Sequence, residues 1–343
     1  MKQYSEHFPE LLFIYSIIHY VFQNCKPFFK FSLEFLIFLL YNLIYRLQGA
    51  HLKKGRIKIE KKISIARANI QKYAGFLRCP LCGAPFGLHG FSLKCANGHN
   101  YDLAKKGYAN LFNGYTKITQ TYDRQLFAAR KLVSDAGLYS GLSAKLCELI
   151  GAGCILDAGC GCGNLTHAIF KARPAAPMFA VDLSKDGIDF AAASYCERDL
   201  IWLVANLNNL PFADGKFDII LNIMSPANYQ EFARVLKPGG VLLKVMPDAD
   251  YLKELRRFIY RESDKQEYSN KDVLSNLAQN INLTELIDVK YTRTIAPGLL
   301  PALFDMTPLT SGIDRRDQIR HDLTAPGADL SMTLAFKIAV CRA

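Results

Sequence analysis

The chain has 343 residues, half of them apolar, which suits one large folded domain with smaller pieces beside it. Ten cysteines in a chain of this length do not resemble a secreted disulfide scaffold, and a reducing cytoplasm is the simpler setting. The net charge of +11 is uneven: residues 1–78 hold 13 Lys/Arg against 4 Asp/Glu, residues 79–150 hold 8 against 4, and residues 151–343 hold 21 against 23, so the second half is no basic nucleic-acid surface.

Residues 1–76 read as a hydrophobic and basic extension. Leu11–Ile18 and Phe35–Tyr41 are apolar, and Lys53–Lys62 is a basic run. Neither apolar run reaches the roughly 20 uninterrupted residues of a membrane span. His19, Asn24 and Lys26 end the first, while Lys30, Glu34 and Asn42 flank the second. No small-residue cleavage site follows the first run, so a signal peptide fits poorly. Two helices lying on a membrane are one reading of residues 1–60. The wealth of Phe, Ile, Leu, Tyr, Asn and Lys, residues with A/T-rich codons, favours another: translated upstream sequence or a misplaced start. The extension is therefore expected to be dispensable for the chemistry.

Residues 77–115 read as a zinc-binding RNA-recognition module. Cys79-Pro-Leu-Cys82 and Cys95-Ala-Asn-Gly-His99 form C-x2-C-x12-C-x3-H, the spacing of a closed tetrahedral site, with Gly83 and Gly98 at the turns. Four protein ligands leave no open position, so the metal is expected to be structural. The run Tyr101-Asp-Leu-Ala-Lys-Lys-Gly-Tyr-Ala-Asn-Leu-Phe112 interleaves aromatics with lysines, suiting stacking on unpaired bases or, equally, a strand packed on the knuckles. Lys105, Lys106 and Lys117 are candidate phosphate contacts, or part of a solvated face.

From residue 116 the chain reads as an α/β domain, its parallel sheet carrying helices on both faces. Strands are expected at 154–159, 177–182, 201–205, 217–222 and 240–246, with helices over Ser184–Cys196 and Asn228–Leu236, the latter ended by Lys237-Pro-Gly-Gly240. Asp157-Ala-Gly159-Cys-Gly161-Cys-Gly163 is a glycine loop that lets backbone approach a ligand at the carboxyl edge of the first strand, and Asp182 ends the second, where an acid can bind ribose hydroxyls.

This series resembles the class I S-adenosylmethionine-dependent methyltransferases, with a Rossmann-like domain. The resemblance implies that Gly159, Gly161 and Gly163 accommodate the methionine part of the cofactor, with Asp182 on the ribose and Asn206 near the adenine. Cys162 departs from the acidic or hydroxyl residue that often sits in the loop. With the zinc motif and the Tyr101–Leu111 run, residues 77–343 resemble the 23S ribosomal RNA guanine-N1 methyltransferases, which include macrolide-resistance members. That resemblance implies Zn2+ on Cys79, Cys82, Cys95 and His99, and adds Tyr139, Leu165, Thr166 and Tyr251 to the cofactor pocket. Tyr251 stands where the family has a histidine, and Leu309-Thr310 follows Met306-Thr-Pro308 where the family tends to have aromatics. The implied partner is a 23S rRNA hairpin or a large-subunit precursor, with a homodimer left open.

The loop Asn222-Ile-Met-Ser225-Pro226 sits where class I enzymes place the acceptor, and Asn222 and Ser225 are expected to orient the base. Asp305 is a candidate general base from position alone. A small-molecule methyltransferase and a non-catalytic zinc RNA-binding protein are the alternatives.

Overall fold

The computed structural model describes residues 61–114, 124–173, 176–261, 269–310, 313–325 and 327–342. The apolar runs of residues 11–18 and 35–41, the basic run up to residue 60, and Lys117 lie outside them. Residues 60–343 form one compact unit.

Helix α1 (Lys62–Lys72) falls inside the expected extension, yet it packs on the domain. Ile70 is 2% exposed, and the buried Asn69 amide donates to the carbonyls of Glu197 (2.9 Å) and Leu200 (3.0 Å) while accepting from Asp199 N–H. Phe76 stacks on Phe179 with ring centroids 5.2 Å apart. Residues 62–76 are thus part of the fold, which moves the expected domain limit at residue 76 back toward residue 60. A buried side chain such as Ile70 contributes about 2–3 kcal/mol.

The zinc module is a three-stranded antiparallel sheet of β1 (Phe86–His89), β2 (Ser92–Cys95) and β3 (Asn100–Asp102). Its neighbour β4 (Tyr108–Asn110) leaves the module and pairs in parallel with β7 (Leu200–Val204) at the edge of the large sheet. Helices α2 (Arg124–Asp135) and α3 (Ser140–Leu149) then lead into that sheet.

The expected strands form as β5 (Ile155–Ala158), β6 (Met178–Asp182), β7, β8 (Phe217–Ile223) and β9 (Leu236–Pro247). Their near-continuous burial matches a sheet covered on both faces. Helix α4 (Asn164–Ala172) follows β5, and α5 (Lys185–Ser194) follows β6 with the Ser184 hydroxyl accepting from Gly187 N–H as its cap. Helix α6 (Tyr229–Val235) is capped in the same way by Asn228. Strand β9 starts four residues before the expected Gly240, because Leu236 already pairs with Phe217 and a register shift there absorbs Pro238-Gly-Gly.

Beyond β9 come α7 (Lys253–Ile259), α8 (Lys271–Asn280), β10 (Asn282–Ile295), α9 (Leu300–Asp305), α10 (Arg316–Thr324) and β11 (Leu330–Arg342). The sheet order is β10-β11-β9-β8-β5-β6-β7-β4. Strands β10 and β11 are antiparallel to their neighbours, so the sheet is mixed rather than wholly parallel. Strand order reverses at β5, whose neighbours are β6 and β8, and ligands of open α/β sheets bind at the carboxyl ends beside such a switch point.

Candidate zinc centre and cofactor cleft

The chain from Cys79 to His99 turns twice on glycines in the left-handed region. Gly83 (φ +73°) donates its N–H to the Cys79 carbonyl, and Gly98 (φ +82°) to that of Cys95. These turns bring one ligand atom each from Cys79, Cys82, Cys95 and His99 within 4.8 Å of one another. Cys82 and Cys95 sulfurs are 3.7 Å apart, and His99 Nδ1 is 3.4 Å from the sulfurs of both Cys79 and Cys95. The edges of a tetrahedron built on Zn–S of about 2.3 Å and Zn–N of about 2.0 Å have these lengths, so the residues fit the metal. The Ala84 backbone N–H leads in lowering the Cys82 thiol to about 6, which favours the thiolate a metal needs.

The run after the knuckles takes the packed role. Tyr101 and Tyr108 are buried, Tyr101 against the edge of Phe86 and with its hydroxyl 4.0 Å from Cys79 sulfur. Alternation along β3 turns Tyr101 and Leu103 inward and Asp102 outward, so neither tyrosine is available to a base. Lys106 pairs with Asp189, while Lys105 is exposed. Among the module's described residues Phe91 is exposed, 45% accessible at the turn between β1 and β2.

A cavity of about 1460 Å³ opens at the carboxyl ends of β5, β6 and β8. Of the expected cofactor residues, Tyr139, Asp157, Gly159, Gly161, Leu165, Asp182, Asn206 and Tyr251 line it, as does Ser225 of the acceptor loop. Gly159 (φ +90°) cannot carry a side chain, because a Cβ there would overlap Ser225 Oγ. Asp182 accepts backbone N–H groups from Gly161 (2.7 Å) and Ser184 (2.8 Å), fixing the loop to the end of β6. Tyr139 and Tyr251 meet through their hydroxyls at 3.1 Å.

Three expected residues do not line the cavity. Gly163 (φ +76°) starts α4, and a Cβ there would strike the Trp202 ring, so its role is packing. Thr166 is fully buried and donates its hydroxyl to Asp157 Oδ2 at 2.6 Å, acting on the site through that carboxylate. Asn222 is 0% exposed; its amide donates to the carbonyls of Ala158 (2.6 Å) and Pro226 (3.1 Å), and its Oδ1 accepts from Lys244 at 2.6 Å. Its side chain is therefore engaged within the fold and holds the 222–226 loop from behind the cavity wall. Asp305 is also spoken for, paired with Arg316 (2.7 Å) and Arg320 (3.1 Å).

The cleft wall carries both acids and bases, and two of its acids are perturbed. Burial, reinforced by nearby Asp182, raises Asp157 to about 7 despite the Thr166 hydroxyl, and burial raises Asp182 as well. Asp157 Oδ1 is the one buried side-chain nitrogen or oxygen among the described residues that lacks a hydrogen-bond partner. An orphaned buried carboxylate oxygen facing a cleft calls for a donor of positive charge, and S-adenosylmethionine carries both an ammonium and a sulfonium group. The residues present fit that cofactor. Cys162, at the departure from the usual loop, is held as a neutral thiol by burial, which raises it to about 11. Arg130, Lys244 and Arg256 also line the cleft and were not foreseen. Only Lys244 had a visible signal: a lone lysine inside the apolar run Leu242-Leu-Lys-Val-Met246.

Comparison with known proteins agrees with this geometry. A methyltransferase-domain family model matches residues 155–240, and the zinc-ribbon model described as the N-terminal part of RlmA matches residues 77–117. A Streptomyces fradiae protein named 23S rRNA (guanine(748)-N(1))-methyltransferase is 36% identical over 287 residues, covering 80% of this chain and 99% of that one. A Bacillus subtilis protein that carries the 23S rRNA (guanine-N(1)-)-methyltransferase name is 38% identical over 245 residues, 68% of this chain and 86% of its own. The chain belongs to the 23S rRNA (guanine-N1)-methyltransferase family.

Proposed function

We propose that this chain transfers the methyl group of S-adenosylmethionine to N1 of a guanine in 23S rRNA. The observation that carries the reading is the joining of a four-ligand zinc ribbon, through β4, to a methyltransferase sheet whose cleft wall includes Asp157, with its unpartnered carboxylate oxygen Oδ1. The relatives' names supply the base and the atom. When bound, the cofactor supplies a methyl group already activated on sulfur.

The protein's part is alignment and exclusion of water. Asp157 and Asp182 receive the cofactor's charged and ribose ends, and Asn206 marks the adenine side. Tyr139 and Tyr251, joined by their hydroxyls, form a wall of the pocket. The cavity is larger than the ~300–1,000 Å³ typical of a single ligand, which leaves room for an acceptor base beyond Ser225. Guanine N1 is paired inside a duplex, so the target enters from a loop or flipped out of its stack. A 23S rRNA hairpin or a large-subunit precursor suits that requirement, in a reducing cytoplasm. Among the described residues no helix is long and apolar enough to cross a membrane.

Mass mapping of methylated guanines in 23S rRNA, from cells with and without the gene, tests the reading. One guanine is expected to lose its methyl group on deletion and to regain it when purified enzyme and S-adenosylmethionine are added. Identical maps from both strains would overturn the proposal.

A further inference from the structure

Lys244 lies near the carboxyl end of β9 and is 5% exposed. Its ammonium group donates to Asn222 Oδ1 at 2.6 Å and to the Ser225 carbonyl. No carboxylate pairs with it among the described residues, and burial alone lowers its pKa to about 8. Burying an ammonium without a counter-ion costs several kcal/mol, whereas leucine or valine would fill the same strand position without that cost. The two acceptors use two of its three N–H donors. The third is engaged by no described residue, on a side chain that lines the cleft beside the acceptor loop.

We propose that the third N–H of Lys244 donates to O6 of the acceptor guanine and lowers the affinity of N1 for its proton. This deepens the guanine-N1 reading and rests on it. Loss of the N1 proton spreads negative charge over N1 and O6, and a preorganised cation at O6 stabilises that charge. In the transfer itself, the N1 lone pair forms the bond to the methyl carbon. The methyl–sulfur bond breaks with its electron pair going to sulfur, and the N1 proton passes to water. Lys244 keeps its own proton throughout. Asn222 is then a positioning residue that holds the ammonium in place.

The surroundings suit such a role. In the sheet Lys244 stands between Asn222 on β8 and Ala339 on β11, neither of them charged. Asp157 on β5, Tyr229 on α6, Tyr251 and Arg256 share the cleft wall. None of them contributes to the shift of Lys244, whose only cause is burial. The ammonium form therefore prevails below pH 8 and is lost as pH rises through it.

The test uses full-length enzyme and an rRNA fragment carrying 6-thioguanosine at the mapped target, whose thione absorbance reports its own ionisation. With S-adenosylhomocysteine in the cleft no transfer occurs, and the bound base can be titrated. We expect it to ionise about one pH unit or more lower with the wild-type enzyme than with Lys244→Met. On the natural guanine, single-turnover methylation by Lys244→Met should fall about 100-fold while cofactor affinity, read by calorimetry, is retained. Equal ionisation and equal rates in the two proteins would sink the proposal. Should the variant fail to fold, the wild type decides alone, since a bound base that ionises no lower than the free nucleoside also refutes it. Failure of the guanine-N1 reading looks different: neither protein then methylates the natural fragment.

Discussion

The zinc centre takes all four ligands from the single stretch Cys79–His99, whereas the cleft gathers its wall from Gly114 to Leu309. The difference is one of what supplies the core. The buried apolar side chains of residues 77–104, such as Leu77, Phe86 and Leu93, join the core of the large domain, and a metal can organise the knuckles themselves by tying both to one point. The cleft instead depends on a sheet already packed on both faces, so its polar residues can be held at strand ends and left partly unsatisfied. Local assembly concentrates energy in a few atoms. Distributed assembly leaves room for strained or orphaned groups such as Asp157.

That contrast can be broken most forcibly at the metal. Structural zinc in small modules is worth about 10–16 kcal/mol of apparent binding energy. Chelation, or Cys95→Ser, should strip amide-exchange protection from residues 78–104 and abolish methylation of rRNA. Cofactor binding, measured by calorimetry, should survive within a few-fold, because the cleft is held by other elements. Loss of both together would mean that the two regions fold as one.

A smaller effect is expected at the seam between them. Removing residues 1–60 should leave melting temperature and activity unchanged. Removing residues 1–76 takes away Asn69, Ile70 and Phe76 and should lower the melting temperature clearly. Ile70→Ala alone is expected to cost about 2–4 kcal/mol by denaturant titration. Equal stability of the two truncated proteins would return α1 to the status of an appendage.

The gentlest probe is pH. Asp157 titrates near 7 in the folded, cofactor-free protein, above its usual 3.8, so the folded chain holds a proton that the unfolded chain has released. Its contribution to stability is therefore greatest at acid pH and declines as pH rises toward 7. Cofactor affinity runs the other way. A cationic ligand favours the carboxylate, so binding should tighten by up to about tenfold per pH unit below 7 and level off above it. Calorimetry in buffers of different ionisation heat should find proton release on the acid side, and Asp157→Asn should flatten both trends.

Much of this was legible in the chain because it is local. The ligand spacing, the glycine loop and the acids in the last residues of β5 and β6 are short-range patterns whose chemistry needs them adjacent. Gly163, Thr166 and Asn222 stand at the expected places but act on partners remote in sequence, Trp202, Asp157 and Lys244. No local pattern distinguishes such support from direct contact. Helix α1 was hidden for a related reason: its buried face includes Asn69, a polar residue whose partners lie on and beside β7. Strand β10 exposes most of its residues at the sheet edge, so its apolar alternation is weak.

The pairing of β4 with β7 has a mechanical consequence. The backbone that leaves the zinc ribbon is hydrogen-bonded to the strand that leads to Asn206 and the cofactor's adenine side. A hinge between the two would have to break main-chain bonds and open a shared core running from Phe86 and Leu93 to Phe179 and Phe212. The zinc ribbon and the cleft are therefore held at a fixed span, which any substrate that reaches both must match. Whatever bending brings the target nucleotide into the cleft is work done on the RNA, and the sites it can reach are those whose own loops yield.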